Sequence, residues 1–523
     1  MNESHSFTGI GPTVMTKIFG TARSHTMRTF CTEGPVDPER NYFVPREDIL
    51  TLGLRKVDEW RYFTLFAPRQ AGKSTWYDFL LRRIRISRTD YLGIWLTFEA
   101  FGEKTEITLL PVIMRQIYFR LGNRDDDLGI TRPNDIEELS EFLFRLSQHY
   151  QKDVVLIIDE IEGLQNPRAL NLFLHAVRSM YHARRQNHVR SVILVGVSNI
   201  TGILEDTASP FNIADQIHIP YFTFDETIDL LEQHTQETGQ VFLPEVIQGI
   251  YDNTAGQPGL VNALARDLVE ARCPDETEIG LTPFYQTLDA FMRLYVNKNI
   301  SNVVNKARQH PEIMKQILFD GPVNFTTYDE RLSFLRVNGV IKDQAGQCII
   351  PVPIYKKCLY QAFKPLLNGN GEMRHFKDPM ISIKNYLHPD GSLDMEKVLN
   401  RYAEYVRERG NIIFSRGKAH EGVYHYNLDA YLSSFLEFLG GRVLPEVPEG
   451  GGRVDLLVLQ DQQRWIVEVK RFLGPDQLER GKRQLAEYLV RSGLNVGYLV
   501  VFSNVHNAAS QGHEVVNGLD VLW

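Results

Sequence analysis

The chain has 523 residues and a formal net charge of −8, with 43% hydrophobic and 23% charged residues. Such a length is too great for one hydrophobic core and predicts about three domains, while the composition is that of a globular protein. The mild acidity disfavours a protein that coats DNA over its whole surface, although it leaves room for a local basic groove.

The cysteines and the apolar runs indicate the cellular compartment in which we expect the protein. The four cysteines are scattered and form no C-x-x-C pair, which argues against a zinc site or a disulfide framework. No apolar run reaches the roughly 18–20 residues that a membrane helix needs, so we expect a cytoplasmic protein with no membrane partner. Residues 1–29 are polar and lack periodicity, which predicts a flexible tail. Met1 and Met27 are both candidates for the residue at which translation starts.

The first chemical motif follows an apolar strand at residues 62–66 and precedes a helical pattern at residues 76–81. Strand, small-residue loop and helix in this order are the context that a phosphate-binding loop requires. Lys73 is expected to reach the β- and γ-phosphates of ATP, and the Ser74 hydroxyl to ligate Mg²⁺. The pattern departs at Ala67, where glycine is usual. The predicted nucleotide-binding residues of this motif are Arg69, Gln70, Ala71, Gly72, Lys73, Ser74 and Thr75.

Two further strands end in polar residues. The apolar run at residues 153–158 ends in Asp159 and Glu160, of which Asp159 is expected to hold Mg²⁺ and Glu160 to activate the attacking water. The strand at residues 191–197 ends in Ser198 and Asn199, which are candidates to sense the γ-phosphate. Strands that alternate with helices predict a parallel sheet with helices on both faces.

Downstream, Asp225 is the expected N-cap of a helix, and residues 254–262 form a helix start broken by glycine and proline. In this order, residues 67–74, 158–160, 209–213 and 256–261 resemble the bacterial AAA-like domain of the STAND branch of P-loop ATPases, over residues 30–284. The resemblance implies a nucleotide switch with a helical lid, a nucleotide contact from Pro258, and a homo-oligomer formed through this domain.

Residues 285–366 resemble the winged-helix unit that follows such ATPase domains, because a helix near residues 334–342 precedes a short hairpin near residues 348–352. Arg331 and Arg336, beside Glu330, are the basic residues that we assign to that helix, which favours packing and relay over DNA binding. Residues 367–398 are the predicted linker, since Asn368–Gly371 is rich in glycine.

The last segment, residues 399–523, carries a second set of charged residues. The alternation around Glu468 and Lys470 places both on one face of a strand, and Asp455 in the preceding strand can reach the same place. Two carboxylates suit Mg²⁺ or Mn²⁺, which would polarise a phosphodiester, while the lysine is expected to position or deprotonate a water and to offset developing charge.

Asp455, Glu468 and Lys470 resemble the Asp…Glu-x-Lys motif of the PD-(D/E)XK nuclease superfamily, and the order helix, three strands, helix, strand fits its core. The resemblance adds Gln484 and Tyr488 as a Q-x-x-x-Y extension and implies an upstream acid, for which Glu421 and Glu437 are both candidates. An amphipathic edge strand with solvated charges is the structural alternative.

The predicted fold is therefore a multidomain α/β protein: a P-loop parallel sheet with a helical lid, a winged-helix domain, and a restriction-endonuclease-like α/β domain. The expected function is an ATP-binding and ATP-hydrolysing switch that controls a metal-dependent nuclease acting on nucleic acid, with DNA the expected substrate. The domain architecture suggests a role in defence against foreign DNA or in the maintenance of mobile elements. One alternative is a STAND-type scaffold ATPase whose nuclease-like domain only binds. Another is a DNA translocase, for which Arg184, Arg185 and Arg190 are candidate inter-subunit arginines.

Overall fold

A computed structural model of the chain describes residues 27–122, 129–196, 215–293, 297–320, 322–363, 383–388, 392–413, 421–436, 441–449, 452–460, 463–503 and 511–523. The chain folds into two compact units. The first unit comprises the residues up to Val241 with Gly256–Glu278 and Val337–Gly339. The second comprises Phe242–Ala255, Ile279–Arg336 and the residues from Val340 onward.

The first unit contains a five-stranded sheet in the order β2-β3-β4-β1-β5, with every neighbouring pair parallel. Its elements are α1 (Glu47–Asp58), β1 (Phe63–Phe66), α2 (Lys73–Ser87), β2 (Tyr91–Thr97), α3 (Glu106–Arg120), α4 (Leu139–Tyr150), β3 (Asp153–Asp159), α5 (Pro167–Ala183), β4 (Val189–Gly196), β5 (Asp215–Ile217) and α6 (Phe224–Thr238). The predicted alternation of strands and helices is confirmed.

Strand β3 shows why its sequence is a continuous apolar run. Leu156 and Ile158 pack with α3, α4 and α5 on one face, whereas Val155 and Ile157 pack with α1 and α2 on the other. Because successive side chains point to opposite faces, a sheet covered by helices on both sides needs apolar residues at every position.

Helix α6 corrects one expectation. Its N-cap is Thr223, whose side chain accepts the Glu226 N–H at 3.1 Å while the Glu226 carboxylate accepts the Thr223 N–H at 2.8 Å. The predicted cap, Asp225, instead lies inside the first turn. The reciprocal capping box satisfies two helix-end donors, so it outcompetes a single aspartate cap.

The next elements of the chain are distributed over the two units and include two two-stranded sheets, β6-β7 and the hairpin β8-β9. In chain order they are β6 (Val241–Phe242), α7 (Pro244–Thr254), α8 (Pro258–Asp267), β7 (Glu278–Ile279), α9 (Leu281–Arg293), α10 (Lys298–Ala307), α11 (Pro311–Lys315), α12 (Glu330–Val337), β8 (Lys342–Gln344), β9 (Gln347–Ile349) and α13 (Pro353–Phe363). A helix followed by a hairpin lies where the winged helix was predicted, and that classification stays a prediction.

The C-terminal elements build a six-stranded mixed sheet in the order β10-β11-β12-β13-β15-β14. They are α14 (Met395–Ile413), α15 (Glu421–Leu436), β10 (Arg442–Glu449), β11 (Gly452–Gln460), β12 (Gln463–Arg471), α16 (Pro475–Ser492), β13 (Val496–Phe502), β14 (His513–Val516) and β15 (Leu519–Leu522). The predicted helix, three strands, helix and strand are present. The structure adds the β14–β15 hairpin, and α14 begins inside the segment predicted as linker.

Two boundary observations complete the fold. Arg28 pairs with Glu237 at 2.8 Å and Thr29 bridges Asn41, so these two residues of the predicted tail contact the rest of the first unit. Among the described helices, none combines the length and the apolar character required to cross a membrane.

Candidate nucleotide and metal sites

The phosphate loop joins the end of β1 at Phe66 to the start of α2 at Lys73. Gln70 and Gly72 have positive φ angles of 56° and 95°, which turn the backbone sharply into the helix. Ala67 is not among the residues with positive φ, and its N–H donates to the Gly196 carbonyl at 3.3 Å, as a continuation of the sheet. The backbone therefore accepts alanine at this position without strain.

Lys73 projects back into the loop that precedes it. Its Nζ donates to the Ala67 carbonyl at 2.6 Å and to the Pro68 carbonyl at 2.9 Å. Burial lowers the pKa of Lys73 to about 8, against the opposing influence of Glu162 and other nearby acids. A bound phosphate would place a negative charge beside this half-buried ammonium and so favour its protonated form.

Asp159 ends β3 with both carboxylate oxygens engaged. Oδ1 accepts the Glu160 N–H at 2.9 Å, and Oδ2 accepts the hydroxyl of Tyr77 at 2.8 Å. Burial raises the pKa of Asp159 despite these two donors. Tyr77 was not predicted from the sequence, although its position four residues after Lys73, on the same face of α2, was an available signal.

Glu160 follows in the left-handed region, with a φ of 53°. Burial raises its pKa, and the neighbouring Glu99, Asp159 and Glu162 raise it further. A carboxyl group with an elevated pKa among other acids is suited to accept a proton from water.

The other predicted nucleotide contacts are only partly placed. Ser198 and Asn199 lie outside the described residues. The Thr75 hydroxyl accepts the Val36 N–H at 3.2 Å and so ties the preceding segment to α2. Pro258 is buried at the first position of α8, whose Gly259 N–H donates to the Gln70 carbonyl at 3.3 Å. Helix α8, in the segment predicted to be the lid, thus begins directly against the phosphate loop.

Two candidate inter-subunit arginines are used inside their own domain. Arg184 donates to the carbonyls of Trp60 and Tyr181, and Arg190 forms a 2.5 Å ion pair with Asp153. Arg185 is exposed. The translocase alternative therefore retains only Arg185 from the predicted set.

In the C-terminal sheet, Asp455 on β11 lies against Glu468 and Lys470 on β12. The Val469 N–H donates to Asp455 Oδ2 at 2.8 Å, and the Lys470 Nζ lies 3.2 Å from Asp455 Oδ2 and 3.2 Å from Glu468 Oε2. The structure thus brings together the three residues that the alternation of the strand predicted to lie near one another. Their catalytic roles stay predictions.

The pKa values of the two carboxyl groups in this cluster shift in opposite directions. Burial and the adjacent Asp455 carboxylate raise the pKa of Glu468 far above its ordinary value. Burial opposes ionisation of Asp455, but the hydrogen bond with Glu468 and the charges of His425 and Lys470 hold its pKa below the usual range. Glu468 is completely buried, and its Oε1 has no hydrogen-bond partner within the described chain. One proton is therefore retained between two carboxylates that face each other.

His425 is the residue of this site that sequence reasoning missed. It lies on α15, and its Nε2 is 3.6 Å from Asp455 Oδ2. A lone histidine in an apolar helix carries no spacing signal, so only the packing of α15 on the sheet reveals it. Of the predicted upstream acids, Glu437 lies outside the described residues, and so does the side chain of Glu421.

Helix α16 carries the predicted Gln484 and Tyr488, and Gln484 Nε2 donates to the Tyr488 hydroxyl at 2.9 Å. One turn earlier, a Cβ at Gly481 would lie 3.5 Å from Lys470 Cγ, so α16 passes closely beside that lysine. Within the described ranges, no three His, Cys, Asp or Glu side chains form a ready ligand cluster. Among the described side chains, Asp455 and Glu468 are the carboxylates that lie beside Lys470.

Residues 59–204 match the family described as an AAA domain. Together with the parallel sheet and the loop geometry, this match shows an AAA-type P-loop ATPase domain, whose activity is ATP binding and hydrolysis. No curated protein matches the chain in sequence.

Three of the similar solved structures match this chain over most of their own length. The Walker-type ATPase of Pyrococcus abyssi is 17% identical, with 63% of this chain and 99% of that chain covered and a TM-score of 0.47. The Orc1 protein of Aeropyrum pernix in complex with DNA is 16% identical over 62% and 94%, with a TM-score of 0.37. Cdc6p of Pyrobaculum aerophilum is 14% identical over 68% and 99%, with a TM-score of 0.35.

Proposed function

We propose that this protein is an ATP-dependent switch whose C-terminal domain cleaves phosphodiester bonds in nucleic acid with the help of Mg²⁺ or Mn²⁺. The observation that carries the nuclease half is the meeting of Asp455, Glu468 and Lys470 in one buried cluster. DNA is the expected substrate and defence against foreign nucleic acid the expected role, as the resemblance to PD-(D/E)XK nucleases joined to a STAND-type ATPase implies.

The residues of the cluster fit a divalent cation. Glu468 Oε1 is a buried acceptor without a partner in the described chain, and its carboxyl retains a proton because burial and the facing Asp455 both raise its pKa. Hard cations prefer carboxylate oxygens, so Asp455 and Glu468 would hold the metal in place of that proton. When bound, it would polarise the scissile phosphate and lower the pKa of a water.

Lys470 has a separate role in this proposal. Its ammonium lies equally far from both carboxyl groups, and the charge of Asp455 together with the hydrogen bonds to Asp455 and Glu468 raises its pKa although burial opposes this. It therefore stays protonated at neutral pH. A fixed cation at that place orients a water near the cluster and offsets the negative charge that develops on the phosphate.

In the ATPase half, Lys73 would contact the β- and γ-phosphates, Ser74 and Asp159 would hold Mg²⁺, and Glu160 would accept a proton from the attacking water. The switch itself is supported by the packing of the second unit, in which α7 and α13 contact β10. Arg442 at the start of β10 lies 3.4 Å from Asp289 on α9. A movement of α7, α9 or α13 would therefore displace β10, which pairs with β11, the strand that carries Asp455.

One observation favours the scaffold alternative, in which the C-terminal domain binds nucleic acid or a partner without cutting. Lys470 already neutralises part of the acidic cluster at 3.2 Å from each carboxylate, so the site is internally compensated as it stands. A domain that had lost catalysis could keep this arrangement for stability alone.

The deciding experiment incubates the intact protein with supercoiled plasmid or with RNA, in Mg²⁺, Mn²⁺ or a chelator, with and without ATP. We expect metal-dependent cutting that ATP alters. The Lys470→Ala variant should lose cutting and keep ATP hydrolysis, whereas Lys73→Ala should lose nucleotide binding and with it the effect of ATP.

Lys482→Ala is the matched control for Lys470→Ala. Lys482 is also buried and paired with two glutamates, Glu479 at 2.9 Å and Glu514 at 2.7 Å, in the same C-terminal domain. Its loss should leave cutting intact. Binding of nucleic acid without cutting under every metal condition would favour the scaffold instead.

A further inference from the structure

The side chain of Gln257 links the lid helix α8 to the phosphate loop. It is completely buried, and its Nε2 donates to the Arg69 carbonyl at 3.2 Å and to the Gln70 carbonyl at 3.2 Å. Its Oε1 accepts the Leu260 N–H at 2.6 Å, which caps α8. Every polar atom of this buried amide is thus used, and two of its bonds end on the phosphate loop.

These two bonds fix which way the loop peptides face. In a trans peptide the C=O and the following N–H point in opposite directions. Because the carbonyls of Arg69 and Gln70 are directed at Gln257, the N–H groups of Gln70 and Ala71 are directed away from α8. Backbone N–H groups at this part of a phosphate loop are the donors that hold a nucleotide phosphate.

A second contact of α8 supports the same peptide orientation. The Gly259 N–H donates to the Gln70 carbonyl at 3.3 Å, and a Cβ at Gly259 would lie 2.7 Å from Gln70 Cβ, an atom whose position the loop backbone fixes. Only glycine allows α8 to approach the loop this closely. Gln70 itself has a φ of 56°, a backbone conformation that needs such support in a residue other than glycine.

We propose that Gln257 is a positioning residue for ATP, which holds the phosphate loop from the lid helix so that the N–H groups of Gln70 and Ala71 face the phosphates. The inference rests on the ATP-binding half of the proposed function and is independent of the nuclease half. It predicts that Gln257 contributes to the binding of phosphates and contributes little to the binding of the nucleoside.

The test compares the affinities of ATP and adenosine for the intact protein and for Gln257→Met, by displacement of a fluorescent ATP analogue. Methionine keeps the length of the side chain but cannot donate to the two carbonyls. We expect the affinity for ATP to fall at least tenfold and that for adenosine to stay within threefold of wild type. Gly259→Ala disturbs the same contact without altering Gln257 and should show the same selective loss, which keeps the test valid if Gln257→Met does not fold.

Gln240→Met is the matched control. Gln240 is also a buried glutamine of the first unit, and its Nε2 donates to the carbonyls of Cys273 at 2.6 Å and Glu276 at 2.8 Å, away from the phosphate loop. It should lower the melting temperature and leave the ratio of the two affinities unchanged.

The proposal is overturned if Gln257→Met binds ATP within twofold of wild type, if ATP and adenosine weaken equally, or if Gln240→Met changes the ratio as much. A wild-type protein that binds no ATP would instead refute the ATP-binding half of the proposed function, before any variant is compared.

Discussion

The hydroxyl of Tyr77 donates a 2.8 Å hydrogen bond to Oδ2 of Asp159, the carboxylate that we propose binds Mg²⁺. This bond joins the helix after the phosphate loop to the strand that ends in Asp159. Burial already raises the pKa of Asp159, so loss of this donor should raise it further and free the carboxylate to rotate. For Tyr77→Phe we expect the Mg²⁺ concentration at half-maximal ATP hydrolysis to rise about tenfold. A magnesium titration of the ATPase rate measures this.

Tyr62→Phe is the control for that variant. Tyr62 is another buried tyrosine of the same unit, and its hydroxyl donates to the Val189 carbonyl at 3.1 Å, at the opposite end of the sheet. Each variant should lose about 1 kcal/mol of unfolding free energy through one hydrogen bond, but only Tyr77→Phe should change the need for magnesium. Equal magnesium curves for all three proteins would remove Tyr77 from the site.

The pKa of Lys73 predicts how ATP affinity depends on pH. Burial lowers this pKa to about 8 in the free protein, whereas contact with phosphate would raise it. Binding of ATP should therefore take up a proton above pH 8. The affinity should be full below pH 8 and should fall by up to about tenfold per pH unit above it.

Calorimetry in two buffers of different ionisation enthalpy, at pH 7 and at pH 9, measures the proton taken up by ATP binding. The excess heat should depend on the buffer at pH 9 and hardly at all at pH 7. An ATP affinity that stays constant from pH 7 to pH 9.5 would show that Lys73 does not titrate in this range.

Glu468 predicts that the stability of the C-terminal domain without metal also falls as the pH rises. Its pKa is raised in the fold from an ordinary value of 4.5, so its contribution to stability is complete below pH 4.5 and is lost as the pH rises toward the folded value. The free energy of unfolding should fall by up to about 1.4 kcal/mol per pH unit above pH 5.

Glu468→Gln should remove that slope, because an amide does not titrate. Proteolysis in urea with a chelator, followed at peptides from β11 and β12, measures the slope. Glu487→Gln, at an exposed position of α16, should keep the wild-type slope. A wild-type slope in Glu468→Gln would mean that the proton resides elsewhere.

The sequence predicted most of what local pattern determines. The strand at Asp153–Asp159, the loop before Lys73, and the shared face of Glu468 and Lys470 all follow from periodicity and motif order. Each depends on residues that are close in the chain, or on the fixed alternation of a strand.

What the sequence did not predict depends on helices docking from a distance in the chain. Gln257 meets the phosphate loop from a position 188 residues after Arg69, and His425 reaches Asp455 through the packing of α15 on the sheet. The β14–β15 hairpin was missed as well, because its strands are only four residues long and have no sustained alternation. Propensity and period carry no information on such partners.

His425 provides the last prediction, on metal binding at the C-terminal site. Its Nε2 lies 3.6 Å from Asp455 Oδ2 and helps to hold the pKa of that carboxyl low, together with Glu468 and Lys470. Without the imidazole, Asp455 is less well oriented and less readily ionised. For His425→Ala we expect the Mn²⁺ concentration at half-maximal thermal stabilisation to rise about tenfold, and more weakly bound metal should slow cutting in proportion. His513→Ala, which breaks a 2.7 Å pair with Asp520 elsewhere on the same sheet, should leave the Mn²⁺ response unchanged. If His425→Ala responds to Mn²⁺ as wild type does, the imidazole serves only to pack α15 against β11, and Asp455 and Glu468 bind the cation without it.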